Sequence, residues 1–421
     1  MTALRQYLGV WQMPGGRVLL IVGILARLGI GMTPLALLLL VQETTGRYAA
    51  AGLAGGMYAL GGAASRPVAG RLAEGIGPSA VVWTTAVLHP LALVGLLLVS
   101  RGGEAALPGI FVASALAGAT YPPLTAAIRR AWTDATAVGS GRHGLREAAM
   151  AAETSLFELV FVLGPMLVAA LLVVTHDPAT ALATSAVATF AGTLWIASLP
   201  IMRHWVRHVD ADTTRGLGPL KEGGFGALLV CVAALGTAFG AAGVIVPAYA
   251  GQHGGGDSLG GVLLGVWGVG SAIGGIWFGT RRPAMALPRQ FAWLLGGVAL
   301  SFLVLAAMPN PLSLGIALVV GGATIAPALT VENNLVGRIA PAGMLNEAYT
   351  WVITVSVAGS AAGGAVAGAI VDQPGGLPWA FVFAAAVLVL ASLVAAVPSG
   401  PMARADRRAA ERLEQAMAAA H

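Results

Sequence analysis

The chain has 421 residues, of which 57% are hydrophobic and only 10% charged, and its mean hydropathy is +0.82. Charges this sparse cannot cover the surface of a soluble protein of such length, and apolar runs long enough to cross a ~30 Å hydrocarbon core recur from end to end. A water-soluble fold is thereby excluded, and so is an intramolecular disulfide, because Cys231 is the single cysteine.

In chain order, the opening MTALRQYLGVWQMPGGR lacks the short apolar core and small-residue cleavage site of a signal peptide and is expected to stay on the protein. Twelve apolar segments follow, at 17–41, 49–70, 80–100, 108–128, 148–174, 180–200, 226–250, 259–280, 289–307, 312–332, 346–371 and 378–397. Short polar connectors such as QETTGRY (42–48) and DQPGG (372–376) separate them. The one long interruption, residues 201–225, divides the spans six and six. The expected architecture is an all-α integral membrane protein with an N-terminal six-helix bundle (1–200), a linker on the cytoplasmic side (201–225), a C-terminal six-helix bundle (226–400) and a cytoplasmic tail (401–421).

With the N-terminus placed inside, 20 of the 23 basic residues fall in cytoplasmic connectors and tails. Arg47 and Arg101 fall outside, and Arg27 lies within a span. That asymmetry is what the positive-inside rule asks of an even number of spans with both ends in the cytoplasm. It also accounts for the net charge of +5 and the pI near 9.9 without any nucleic-acid partner. Trp11, Trp132, Trp195, Trp205 and Trp379 sit near segment ends, where an aromatic belt would place them.

The halves echo each other. The fourth span reads GATYPPLT (118–125) and the tenth GATIAPALT (322–330), at an offset of 204. The fifth opens with Glu147-Ala148 and carries Gly164; the eleventh opens with Glu347-Ala348 and carries Gly364. Two similar bundles around a midplane site are the mark of a secondary transporter.

The six-plus-six arrangement resembles the major facilitator superfamily over essentially the whole chain. Gly70-Arg71-Leu72-Ala73-Glu74-Gly75-Ile76-Gly77 matches the family signature between spans two and three, with glutamate for aspartate and with Pro78 and Ser79 where basic residues are usual. Gly70, Glu74 and Gly77 are therefore candidates for its conformational latch. Gly164-Pro165 in span five is similar to part of the exporter branch's motif, while Ser114 stands near the place of that branch's arginine in span four.

Among charged residues in the spans, Arg27 and Glu158 each lie about ten residues in from the same side, and a lone charge there costs at least ~2.5–3.5 kcal/mol. Spans one and five are neighbours in the family, so the resemblance implies an Arg27–Glu158 pair facing the central cavity, serving either proton coupling or helix orientation. Glu153 lies about 140° around the helix from Glu158 and is expected near the cytoplasmic mouth, solvated, capping or coupling. Glu332 is the C-terminal bundle's buried-acid candidate, with a pair to Arg338 as the alternative. Glu147 and Glu347 open their spans, where the helix dipole favours an acid.

Glycines at four-residue spacing in span eight (Gly261/Gly265, Gly270/Gly274, Gly275/Gly279) and span eleven (Gly359/Gly363, Gly364/Gly368) let helices approach closely. The resemblance places these at the bundle interface. Tyr58, Tyr121, Trp267 and Trp351 are candidate cavity-lining residues, with plain helix packing as the alternative. His204 and His208 are four apart but have no third ligand, so no metal site is expected, nor any cofactor. No phosphate loop, catalytic triad or HExxH occurs, and an enzyme is not expected.

The resulting expectation is proton-coupled efflux of amphipathic small molecules by alternating access, by a monomer in a bacterial inner membrane. The partners are a small-molecule substrate, protons and the lipid bilayer. Import of a metabolite by proton symport is the alternative, and a non-transporting membrane sensor the second.

Overall fold

The computed structural model of the protein describes residues 3–137, 140–198, 218–254, 256–281, 285–341 and 344–419. Their regular elements are all helices. In the first half these are α1 (Ala3–Gln12), α2 (Gly16–Thr45), α3 (Tyr48–Ile76), α4 (Pro78–Ser100), α5 (Leu107–Ala119), α6 (Leu124–Ala135), α7 (Arg146–Thr175) and α8 (Pro178–Ser198). The second half holds α9 (Gly223–Gln252), α10 (Gly256–Gly279), α11 (Leu287–Ala306), α12 (Pro311–Gly322), α13 (Ile325–Ile339), α14 (Leu345–Val371), α15 (Gly376–Ala396) and α16 (Pro401–Ala419).

Among the described residues, eleven helical segments are long and apolar enough to cross a membrane, the α5–α6 and α12–α13 pairs counting as one each. Helices suit this solvent because each satisfies its own backbone polar groups where no water can. The remaining expected span is α3, which has the length at 29 residues but is diluted by seven glycines and two arginines.

The chain forms two compact units: residues Met1–Gly46 with Met57–Val209, and Arg47–Gly56 with Asp210–His421. The first turns of α3 thus group with the second unit, a division that segment counting did not foresee. In the first unit α2 is central, packed along α7 and α8, while α4 packs on α5 and α8. In the second, α9 runs along α14 and α15, and α11 packs on α15 and α12. The same pairings of first with fifth, first with sixth and third with sixth spans therefore recur within each unit.

Close approaches rest on small residues. Gly31 of α2 and Gly164 of α7 meet backbone to backbone, leaving no room for a Cβ on either. In the second unit Gly359 and Gly363 lie against the α9 backbone at Ala233 and Thr237, and Gly270 and Gly274 against α12 and Ala323. These glycines therefore work inside a unit, correcting their expected place at a bundle interface. Gly364 and Gly368 touch Gly52 and Tyr48, at the start of α3.

The repeated motif has a structural meaning that the sequence reading missed. At GATYPP the fourth span breaks between α5 and α6: Pro122 and Pro123 have no N–H to offer, and Tyr121 N–H turns back to the Gly118 carbonyl at 3.1 Å. At GATIAP the tenth span breaks between α12 and α13, where the Thr324 N–H and hydroxyl both reach the Gly321 carbonyl, at 3.3 and 2.8 Å. The motif glycine is an abutment in each unit: Gly118 lies against the Tyr58 carbonyl and Gly322 against the Trp267 carbonyl.

Of the expected linker, residues 201–217 lie outside the described residues, as do His204, His208 and Trp205; α9 already begins at Gly223. The tail is folded back: Met402 and Asp406 of α16 are buried, and Ala405 sits on Gly224 of α9. Trp132 is no belt residue, since it is only 1% exposed within the first unit's core, whereas Trp11, Trp195 and Trp379 are exposed.

Candidate functional site

The chemistry of the first unit centres on Arg27, the twelfth residue of α2 and almost fully buried. Its Nε donates to the Gly23 carbonyl one turn earlier at 2.8 Å. Its two terminal nitrogens donate to the two carboxylate oxygens of Glu153 on α7, at 2.6 and 3.1 Å. The Phe157 ring, one turn along α7, covers the guanidinium at 5.1 Å. Both partners are 1% exposed, so every charge is met by a fork-to-fork pair and a cation–π contact.

This arrangement corrects two expectations. Arg27 pairs with Glu153, not Glu158, and Glu153 is buried rather than solvated at a mouth. The reason is helical phase. Val160 and Gly164 each fall within about 20° of Glu153 around α7, and all three are buried. Glu158 is about 140° away and exposed. Equal depth had suggested Glu158, but an arginine stem spans the difference in depth more easily than a helix changes its rotation.

A second polar layer lies beyond this pair. The Thr33 and Ser185 hydroxyls are 2.6 Å apart between α2 and α8. Tyr121, in the break, has Tyr58, Arg27 and Thr189 as its electrostatic neighbours. His89 of α4, which the sequence reading passed over, is fully buried. Its Nδ1 lies 2.9 Å from the Ala117 carbonyl just before the break. The signal for it was available: a histidine in mid-span, beside a partner span carrying Pro122-Pro123.

In the second unit Glu332 is 6% exposed on α13. Arg338 does not pair with it; Arg338 Nε lies 3.1 Å from Asp406 of α16. Glu332 interacts electrostatically with Cys231 of α9, whose thiol donates to the Ala391 carbonyl. Trp267 belongs to a ring cluster with Phe239 and Phe302 at 5.9 and 6.4 Å, and Trp351 packs half-buried on the same core. For both, packing is the role the contacts describe.

Little remains of the loop expected at the family signature. Gly70 is helical and open to its surroundings, α3 continues to Ile76, and only Gly77, at φ +93°, turns the chain into α4 at Pro78. The Glu74 side chain lies outside what is described.

The family model described as Major Facilitator Superfamily matches residues 19–311. Among solved structures, a mutant of the nucleoside transporter NupG is 13% identical with a TM-score of 0.72, covering 90% of this chain and 98% of that one. A mutant of the peptide transporter POT is 17% identical with a TM-score of 0.71, at 93% and 96% coverage. A bacterial homologue of the iron transporter ferroportin, in an inward-facing state, is 17% identical with a TM-score of 0.67, at 90% and 96% coverage. A comparison with curated proteins finds no match. Identities this low speak for the fold alone, but the family model spans more than half of the sequence, and the chain, a multi-pass membrane protein of transporter type, belongs to the Major Facilitator Superfamily.

Proposed function

We propose that the protein couples proton movement to the export of amphipathic small molecules of cationic character, by alternating access between two six-helix bundles, residues 1–200 and 226–400. One observation carries this reading. Arg27, deep in α2, is neutralised by Glu153, so the carboxylates Glu158 of α7 and Glu332 of α13 stand within their spans without an ion-pair partner among the described residues, with Arg66 of α3 as their one unpaired basic counterpart well inside a helix. A carboxylate in an apolar helix needs a proton, a cation or water beside it.

Glu158, exposed on α7, is assigned to substrate or proton exchange, and Glu332, buried on α13, to proton binding. The Gly164-Pro165 pair supports the export direction, because it is the part of the exporter motif that brings α7 against Gly31. The same carboxylates would serve proton symport, and direction is what the experiment separates. The distribution of basic residues supports a bacterial cell membrane placement with both termini inside. We read the working unit as a monomer.

The test is reconstitution into liposomes with an imposed pH gradient and a fluorescent lipophilic cation. Accumulation of the dye against its gradient toward the acidic side, lost in Glu158→Gln and Glu332→Gln, is the expected result. Dye distribution indifferent to the pH gradient in the wild type overturns the reading. Dye moving with protons instead of against them selects the symport alternative.

A further inference from the structure

Beyond the Arg27–Glu153 pair, the described residues of the first unit bury Trp132 Nε1 on α6 and a group of four further polar atoms without a well-formed hydrogen bond: His89 Nε2 on α4, Ser114 Oγ on α5, the Tyr121 hydroxyl in the break and Thr189 Oγ1 on α8, the last two lying against each other. Unpaired buried polar groups are rare, because each costs about 1–3 kcal/mol when left unmet. Three of these residues, His89, Ser114 and Thr189, are at most 1% exposed. They surround the same feature, the interrupted backbone at Thr120–Pro123.

His89 is the twelfth residue of the 23-residue α4, about 17 Å from either helix end and so near mid-membrane. A carbonyl only accepts, so the contact with Ala117 requires Nδ1 to carry the hydrogen and leaves Nε2 with a free lone pair. The Tyr121 ring stands edge-on to the imidazole with centroids 5.0 Å apart, and Thr189 faces the same tyrosine from α8. The elements packed on α4 are α2, α5, α8 and the turn at Gly103–Ala106. Helices α5 and α8 carry no ionisable side chain. The turn's Glu104 is exposed at the far end, as is Glu43 at the outer end of α2, and Arg27 is held by Glu153 beyond Tyr121. Among the described residues of these elements, Tyr121 is thus the titratable group in ring contact with His89.

A structural role alone does not account for the histidine. The equivalent break in the second unit is packed by Gly297 and Ser301 of α11, which touch Thr324 and Gly321. Ser301 satisfies its own hydroxyl on the Val298 carbonyl at 2.7 Å. A break of this kind is therefore built without any ionisable group, and the imidazole is particular to the first unit.

The geometry points to a proton-binding site at the break of the fourth span: His89 Nε2 takes a proton from water admitted past the Tyr121, Ser114 and Thr189 hydroxyls. The proton leaves a hydronium ion and bonds to the Nε2 lone pair, and the imidazolium keeps its Nδ1–H on Ala117. This assignment rests on the proton-coupled reading above for its purpose, and gives the first unit a proton carrier distinct from its carboxylates.

The experiment is a nitrogen NMR titration of histidine-labelled protein in lipid bilayers without substrate, between about pH 8 and 3. The His89 resonance is identified by its loss in His89→Gln, a variant that keeps a donor for the Ala117 carbonyl. Conversion of Nε2 from a bare to a protonated nitrogen is expected in this range, with a midpoint moved by several-fold in proton affinity in Tyr121→Phe. A pH jump should load about one proton fewer per chain on His89→Gln than on the wild type. An Nε2 that stays bare throughout, or equal proton uptake by the two proteins, overturns the site. If His89→Gln does not insert, Tyr121→Phe decides alone: a histidine resonance whose midpoint it moves supports the site, and an unmoved set overturns it. Because this titration is made at equilibrium, it can fail while the flux experiments on Glu158 and Glu332 succeed, and the reverse.

Discussion

The Asp372 carboxylate accepts the backbone N–H of Tyr48 at 2.9 Å, across 324 residues of sequence, and its second oxygen accepts the N–H of Ala49 at 2.9 Å. The end of α14 thus caps the start of α3. The first N–H groups of any helix lack partners within it, and here a carboxylate on another helix meets two of them while complementing the positive end of the dipole. Gly368 beside Tyr48 and Gly364 beside Gly52 bring the two backbones near enough for this.

Replacing that cap loosens the first turn of α3. Asp372→Ala is expected to destabilise the protein by about 1 kcal/mol and to speed amide hydrogen exchange at Tyr48 and Ala49 about fivefold. Asp372→Asn keeps most of the protection, since asparagine caps comparably. Unchanged exchange in the alanine variant would contradict the arrangement.

The two glutamates of α7 separate cleanly by stability. Removing one member of a buried pair leaves an unmet charge and costs about 3–5 kcal/mol, so Glu153→Gln lowers the unfolding midpoint in detergent sharply. The double variant Arg27→Gln with Glu153→Gln recovers part of that loss. Glu158→Gln, at an exposed position, stays within about 0.5 kcal/mol of the wild type. Equal effects of the two single substitutions would rule out the pairing described.

Gly164→Ala places a methyl group into the Gly31 backbone and is expected to destabilise by about 1–3 kcal/mol. Gly337, in α13 with nothing within 4 Å of where a Cβ would stand, is the control. There, alanine stabilises by about 0.5–1 kcal/mol because glycine gives up more backbone freedom on folding. Thermal unfolding of both variants checks the contrast.

The docked tail carries a pH dependence. Burial raises the Asp406 carboxyl above its ordinary value, and the opposing pull of Arg338 and Arg407 does not cancel this. A group whose folded pKa is raised holds its proton more tightly in the docked state. Its contribution is therefore full below the unfolded value and fades as pH rises through the folded one. Protection of α16 from proteolysis should accordingly increase on acidification through that window. Asp406→Asn should be docked at neutral pH and lose the dependence; a tail released by that substitution would show the ion pair with Arg338 to be dominant.

The repeat shows how much was legible and where legibility stopped. GATYPPLT and GATIAPALT are plain to read as an echo between spans four and ten, but the break at Thr120–Pro123 within that echo shows only in the structure. His89 belongs with that break: its place in mid-span is visible in the sequence, but its partner, the Ala117 carbonyl on another helix, is set by the packing of α4 on α5. Arg27 was correctly singled out as needing a partner, because the need follows from its position in an apolar run alone.

Hydropathy, span length and the sidedness of the arginines are sums over local stretches, which is why the linear order of residues suffices to establish lipid as the solvent and to propose which ends face inward. Partner choice is different. Whether Arg27 meets Glu153 or Glu158, and whether Arg338 meets Glu332 or Asp406, depends on how each helix is rotated about its axis and on what folds back against it. Those rotations are decided by small-residue contacts such as Gly31 on Gly164, made between segments more than a hundred residues apart, and no stretch of α7 or α13 taken singly contains that information.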